Sequence, residues 1–200
     1  MKRVFAGAAV CAITAALASP AFAVLEIGAA APEVVAEGAL AGEAYHFDLA
    51  EARAEGPVVL YFFPAAFTPG CNIEAGLFSQ AIADFEAQGA TVVGVTGGAA
   101  MDDSMSAFAS SEDEMQERLL AFSSEHCQDA FAVAGVDAKT ITAYDVASAR
   151  APGGAMSNRT SYVISPEGEV LFVHSDNSPE AHISSTLEAV KTYNAAHGGE

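Results

Sequence analysis

Val58-Val59-Leu60-Tyr61-Phe62-Phe63-Pro64-Ala65-Ala66-Phe67-Thr68-Pro69-Gly70-Cys71 is the stretch whose reading settles the fold class. Its first six residues form an unbroken apolar run, the pattern of a strand covered on both faces. Downstream, Phe78, Ala81, Ile82 and Phe85 recur at helical spacing, which predicts a helix over 74–88. Cys71 therefore lies where a strand turns into a helix. Backbone N–H groups at a helix start are unpaired and carry partial positive charge, which favours a thiolate over a thiol. An isolated cysteine is more often an ordinary buried side chain. This placement suggests a redox nucleophile instead.

Outward from that stretch the pattern repeats. Thr91-Val92-Val93-Gly94-Val95 reads as a second strand after the break at Gln88-Gly89. A helix is expected from about Glu114 to His126, a short strand at 131–133 and a short helix over 138–144. Strands at 161–164 and 170–173 are joined by Pro166-Glu167-Gly168, a hairpin signal. The last helix has Ser178 as its expected cap and Pro179 at its first position, with Ile183, Leu187 and Val190 on the buried face. Residues 24–57 read as a leading segment with small strands, one of them around 44–47. Residues 97–113 and 149–159 read as loops. The order predicts an α/β protein, a central mixed β-sheet with helices on both faces. No repeat and no dividing linker interrupts residues 24–200, so they are expected to form one domain.

Residues 1–23 are read separately. Met1-Lys2-Arg3 is a positive start, residues 4–18 are apolar and alanine-rich, and Ser19-Pro20-Ala21-Phe22-Ala23 ends in a small-x-small pattern. These are the parts of a cleaved secretory signal, too short and too early for a spanning helix. The mature chain is then expected to be periplasmic or secreted, with no membrane insertion. Losing Lys2 and Arg3 takes the formal charge from −18 to −20. A surface that acidic repels phosphate backbones and excludes nucleic-acid binding. Cleavage also removes Cys11 and leaves Cys71 and Cys127. In an oxidising compartment these two could equally form a static disulfide. The five histidines (His46, His126, His174, His182 and His197) have no metal-ligand spacing, so no metal is expected. His126 beside Cys127 could acidify that thiol, though a solvated helix end is the simpler reading. Glu112-Asp113-Glu114 with Glu117 reads as a solvated acidic loop. Gly97-Gly98 lacks the further glycines of a phosphate loop.

Pro64-x-x-x-Thr68-x-x-Cys71 resembles the active-site signature of the peroxiredoxins, the cysteine-dependent peroxidases. Thr68-Pro69-Gly70-Cys71 with Glu74 is similar to the bacterioferritin comigratory protein, or peroxiredoxin Q, branch. Ile27-Gly28 and Ala31-Pro32, the run Asn158-Arg159-Thr160-Ser161-Tyr162-Val163-Ile164, and Ser178-Pro179-Glu180-Ala181-His182 extend the resemblance over residues 24–195. It implies a thioredoxin-like fold. It implies reduction of hydrogen peroxide or organic hydroperoxides without metal, haem or flavin, at the expense of a thioredoxin-like or small-thiol reductant, by a monomer or homodimer. By match of position Cys71 is the peroxidatic cysteine, and Thr68, Pro64 and Arg159 complete its pocket. Arginine stays charged and offers a planar fork of donors. A threonine hydroxyl can accept from the peroxide and donate to the thiolate. Proline has no N–H and can shield the site. Glu74 either helps to orient these groups or simply suits the helix dipole.

Recycling of Cys71 is left open between two routes. The branch often carries a second cysteine five residues on, where this chain has Gly76. Cys127 is then the possible resolving cysteine, and an external thiol is the alternative. In many relatives an arginine follows the phenylalanine numbered here Phe78, whereas this chain has Ser79. Two rival functions remain. An exported thioredoxin-like thiol–disulfide oxidoreductase normally uses cysteines two residues apart, and Asn72-Ile73-Glu74 supplies no such partner. A non-catalytic redox sensor or binding module would use the same fold.

Overall fold

In a computed structural model of the chain, residues 24–98, 108–109, 111–151 and 156–197 are described. The expected signal segment 1–23 lies outside them, as do residues 99–107, 110 and 152–155 of the two expected loops.

The apolar run becomes β3 (Val58–Phe62), all of it buried. It pairs in parallel with β4 (Thr91–Thr96) and antiparallel with β6 (Thr160–Ile164). A strand in that position is covered on both faces, so its alternate side chains feed two cores. Val59, Tyr61 and Phe63 enter one core, and Val58, Leu60 and Phe62 enter the other. Outside β4 come β5 (Ala132–Gly135), β1 (Val35–Leu40) and β2 (Glu43–Asp48); outside β6 comes β7 (Val170–Ser175). The order is β2-β1-β5-β4-β3-β6-β7, a seven-stranded mixed sheet.

Helices α2 (Pro69–Glu86), α3 (Glu112–Glu125) and α5 (Pro179–His197) cover the Tyr61 face through Phe78, Phe85, Leu119, Phe122 and Val190. Helices α1 (Leu49–Glu55) and α4 (Ala138–Ala143) cover the opposite face through Leu49 and Ile141. The expected α/β architecture with helices on both faces is therefore present.

Three differences from the sequence reading have simple causes. The leading segment holds the expected small strands, as a β1–β2 hairpin, and also helix α1, which is not expected. Helix α1 has only seven residues, too few for a periodic pattern, yet Asp48 caps it by accepting from the Ala50 and Glu51 N–H groups. Helix α2 begins at Pro69, not 74, because its first turn is small and polar and leaves no apolar trace. Proline is well placed there, since a first-turn N–H has no partner to lose. Helix α3 begins at Glu112, with the Ser111 hydroxyl accepting from the Glu114 N–H at 3.2 Å. The expected acidic loop is thus its first turn, where the helix dipole favours carboxylates.

The buried face of α5 is also different. Ile183 and Leu187 are only partly buried, while His182, Thr186 and Val190 are buried completely. The His182 Nε2 lies 3.0 Å from the Asp176 carbonyl, which can only accept, so Nε2 carries the proton. Its Nδ1 then accepts from the Ser161 hydroxyl at 2.8 Å. Burial pushes His182 down from 6.5 to about 4. The unfolded chain therefore binds a proton between those values that the folded chain refuses, and the contribution of His182 to stability falls as pH falls from 6.5 to 4. The loss should total about 3 kcal/mol. The pH slope of urea unfolding across this range should change by that amount in His182→Gln; a variant with the parent's slope would acquit His182.

Candidate active site around Cys71

Antiparallel pairing of Phe62 with Thr160 sets the residue before β6 beside the residue after β3. That register delivers Arg159 to the loop leading into α2. Arg159 is nearly buried, and its fork is divided between two residues of α2. One terminal nitrogen pairs with the Glu74 carboxylate; the other lies 3.7 Å from the Cys71 sulfur. Cys71 and Glu74 are three apart on the helix, so they share a face and can be reached by one guanidinium. Gly70 leaves room for this approach, since a Cβ there would stand 3.1 Å from the Arg159 nitrogen.

Cys71 is the third residue of α2 and is 2% exposed. Its N–H reaches the Thr68 carbonyl at 3.0 Å, as does that of Asn72 at 2.9 Å. The sulfur therefore stands at the positive end of an 18-residue helix with a guanidinium beside it. Such a sulfur is equipped to act as a nucleophile.

Glu74 is fully buried, and its second oxygen has no hydrogen-bond partner. Burial pushes its carboxyl up to about 8, against the opposing pull of Arg159. Because α2 begins at Pro69, Glu74 is its sixth residue and lies beyond the first turn, where the dipole acts most strongly. It faces inward and pairs with Arg159, a contact that the dipole reading does not call for.

Pro64 and Thr68 line the connection between β3 and α2, both half-buried. The Ala66 N–H donates to the Gly98 carbonyl at 2.9 Å, tying this loop to the end of β4. The Thr68 hydroxyl donates to the Ala65 carbonyl at 2.9 Å. It has one proton, so the expected donation to the Cys71 sulfur is not made here; its lone pairs remain able to accept. Phe67 adopts a left-handed backbone, φ 62°. Such a conformation is unfavourable for a bulky residue and persists only where surroundings impose it. Here the Phe122 and His126 rings pack edge-on against it and the Arg118 guanidinium lies 3.9 Å from its ring centre.

Cys127 lies elsewhere, just past α3, fully buried beneath the same face of the sheet. Both cysteines are free. Burial raises the Cys127 thiol strongly. His126 packs on Phe67 and Phe122, and burial lowers its pKa. A lowered pKa disfavours the imidazolium and so works against the idea that His126 acidifies Cys127; His126 is the partly exposed cap of α3, at the helix end as the simpler reading has it, with one side packed on the two rings. The Ser79 hydroxyl donates to the Cys127 carbonyl at 2.7 Å. Ser79 has no motif of its own and sequence reading marks it only as a departure from the arginine of relatives. Among the described residues no group of three or more His, Cys, Asp or Glu could hold a metal, and no helix is long and apolar enough to cross a membrane.

Residues 27–173 match the AhpC/TSA family. The chain belongs to that family. Peroxiredoxins Q are among the curated relatives to which this AhpC/TSA member is similar. It is 33% identical over 136 residues to the chloroplastic peroxiredoxin Q of Arabidopsis thaliana, covering 66% of this chain and 54% of that protein. It is 30% identical over 139 residues to a putative chloroplastic peroxiredoxin Q of Oryza sativa subsp. indica, covering 68% of this chain and 55% of that protein. The chain thus spans about half the length of these plant relatives. Among solved structures, peroxidoxin BcpB of Mycobacterium tuberculosis superposes with a TM-score of 0.66 at 22% identity, covering 84% of this chain and 97% of that one. AhpC of Enterococcus faecalis superposes at 0.65 with 17% identity, covering 87% and 96%. The AhpC/TSA chain described here therefore has their thioredoxin-like fold.

Proposed function

We propose that this chain is a thiol-dependent peroxidase in which Cys71 is the peroxidatic cysteine and Arg159, Thr68 and Pro64 form its pocket. The observation that carries the reading is the single guanidinium shared between the Cys71 sulfur and the buried Glu74. The thiolate attacks the terminal oxygen of a hydroperoxide. The S–O bond forms as the O–O bond breaks, giving Cys71 sulfenic acid and an alkoxide or hydroxide that takes a proton from water. Arg159, already fixed by Glu74, offers positive charge to the leaving oxygen as it develops, and the Thr68 hydroxyl can accept a hydrogen bond from the peroxide's O–H, which stays on the transferred oxygen.

The sulfenic acid is then resolved by Cys127. Its thiol and the sulfenic acid condense to a 71–127 disulfide with loss of water, and a thioredoxin-like or small dithiol reduces that bond. A bond between these two residues needs their Cα atoms within about 7 Å. Helix ends open at little cost, so the first turn of α2 can supply the movement. Residues 1–23 direct export, and the enzyme works outside the cytoplasm against peroxides met there.

Peroxide consumption by the reduced protein with an added dithiol tests the activity, since a sensor or binding module would show no turnover. Non-reducing peptide mapping after peroxide treatment tests the second step. A 71–127 linkage is expected; only sulfenic or sulfinic Cys71, with Cys127 still free, would replace it with a single-cysteine cycle.

A further inference from the structure

Cys127 is carried by a turn that is held shut in an unusual way. After α3 its N–H reaches back to the Phe122 carbonyl at 3.2 Å, and its carbonyl accepts from Ala130 at 2.9 Å. The next two residues, Gln128 and Asp129, are exposed and left-handed, at φ 51° and 58°. Side chains with a Cβ disfavour that conformation. Beneath the turn, in the same apolar cluster as Cys127, the buried Tyr61 hydroxyl has no partner. Gly94 makes room for that hydroxyl, because a Cβ there would stand 2.7 Å from it. An orphaned buried hydroxyl is satisfied when water enters, so opening the turn is favoured by the strain and by Tyr61 together.

Against them stand two bonds of Asp129, its N–H to the Ser123 carbonyl at 3.2 Å and its carboxylate accepting from the Ser124 hydroxyl at 2.8 Å, and a contact from α2. The Ser79 hydroxyl has a single proton and two carbonyls in reach, Cys127 at 2.7 Å and Ala75 at 3.0 Å. The shorter bond joins α2, which carries Cys71, to the turn that carries Cys127. We propose that Ser79 is a positioning residue for the second half of the cycle: it latches the Cys127 turn closed, and the strength of that latch sets how fast Cys127 can reach oxidised Cys71. The proposal rests on Cys127 as the resolving thiol. The step it governs forms the S–S bond and breaks the S–O bond of the sulfenic acid, and the Cys127 proton leaves with the hydroxyl as water.

Two measurements separate the latch from the reading beneath it. In a Cys71→Ser background, Cys127 can meet iodoacetamide only when the turn opens. Adding Ser79→Ala should speed its labelling about fivefold, the weight of one ordinary hydrogen bond. Alanine suits the helix interior, so α2 itself is retained. Unchanged labelling would overturn the latch. With Cys71 present, Ser79→Ala should form the sulfenic acid at the parent's rate and the 71–127 disulfide several-fold faster. Equal slowing or speeding of both steps would make Ser79 a general support of α2 and overturn its positioning role. A parent protein that forms no disulfide, while labelling still accelerates, would remove the resolving role of Cys127 and with it the catalytic half of the proposal.

Discussion

Cys71→Ser is expected to abolish peroxide turnover while the fold persists. The loss should exceed about a thousandfold, the scale on which enzymes fall when a nucleophile is removed. A serine hydroxyl at this site is neither anionic near neutrality nor able to take oxygen from a peroxide. The structural change is small by comparison. Among the described residues the sulfur's hydrogen-bond partner is Arg159 at 3.7 Å, and the oxygen of serine is smaller than the atom it replaces. Stability should move by about 1 kcal/mol or less. Peroxide consumption with dithiothreitol as reductant, together with thermal unfolding, reads both quantities. Retained turnover would transfer the chemistry to some other residue and dissolve the assignment.

Arg159→Leu should have the second largest effect, on stability and rate together. The substitution leaves Glu74 alone in the interior with neither of its oxygens partnered. Removing one partner of a buried ion pair typically costs about 3–5 kcal/mol. It also withdraws a fixed donor from the place where the leaving oxygen gathers charge, worth roughly 10²–10³ in rate. The two losses come apart in Arg159→Leu/Glu74→Gln. Neutralising the stranded carboxylate should restore much of the stability but none of the speed with which peroxide oxidises Cys71. Denaturant unfolding and stopped-flow mixing would report these. A single variant that reacts at the parent's rate would mean that the guanidinium beside the sulfur is incidental.

Much of this arrangement is legible before any coordinates are known, for identifiable reasons. The run 58–63 is apolar without alternation because β3 is central, and that pattern survives in the letters. Cys71 and Arg159 stand in motifs whose spacing reflects the pairing of β3 with β6. Glu74 is half legible: its three-residue offset from Cys71 puts both on one face, but only the contact with Arg159 tells an inward carboxylate from one facing water. Thr68 is named by the motif, yet the direction of its single proton depends on where the Ala65 carbonyl points. His182 and Ser79 are out of reach for another reason. Each is polar at a position where hydropathy predicts exposure, yet His182 is fully buried and Ser79 half-buried, because a partner distant in sequence, Ser161 or the Cys127 carbonyl, satisfies it. Patterns along a chain do not register bonds that form across it.

Helix α2 is anchored unevenly. Its far half is wedged through Phe78 and Phe85 into the aromatic cluster beneath the sheet, whereas its opening turn rests on a threonine carbonyl and one guanidinium. A rod clamped at one end and lightly tacked at the other yields at the tack. In the proposed cycle, oxidation would thus rewrite the reactive turn while the scaffold stays put, and passage between redox forms would not risk denaturation.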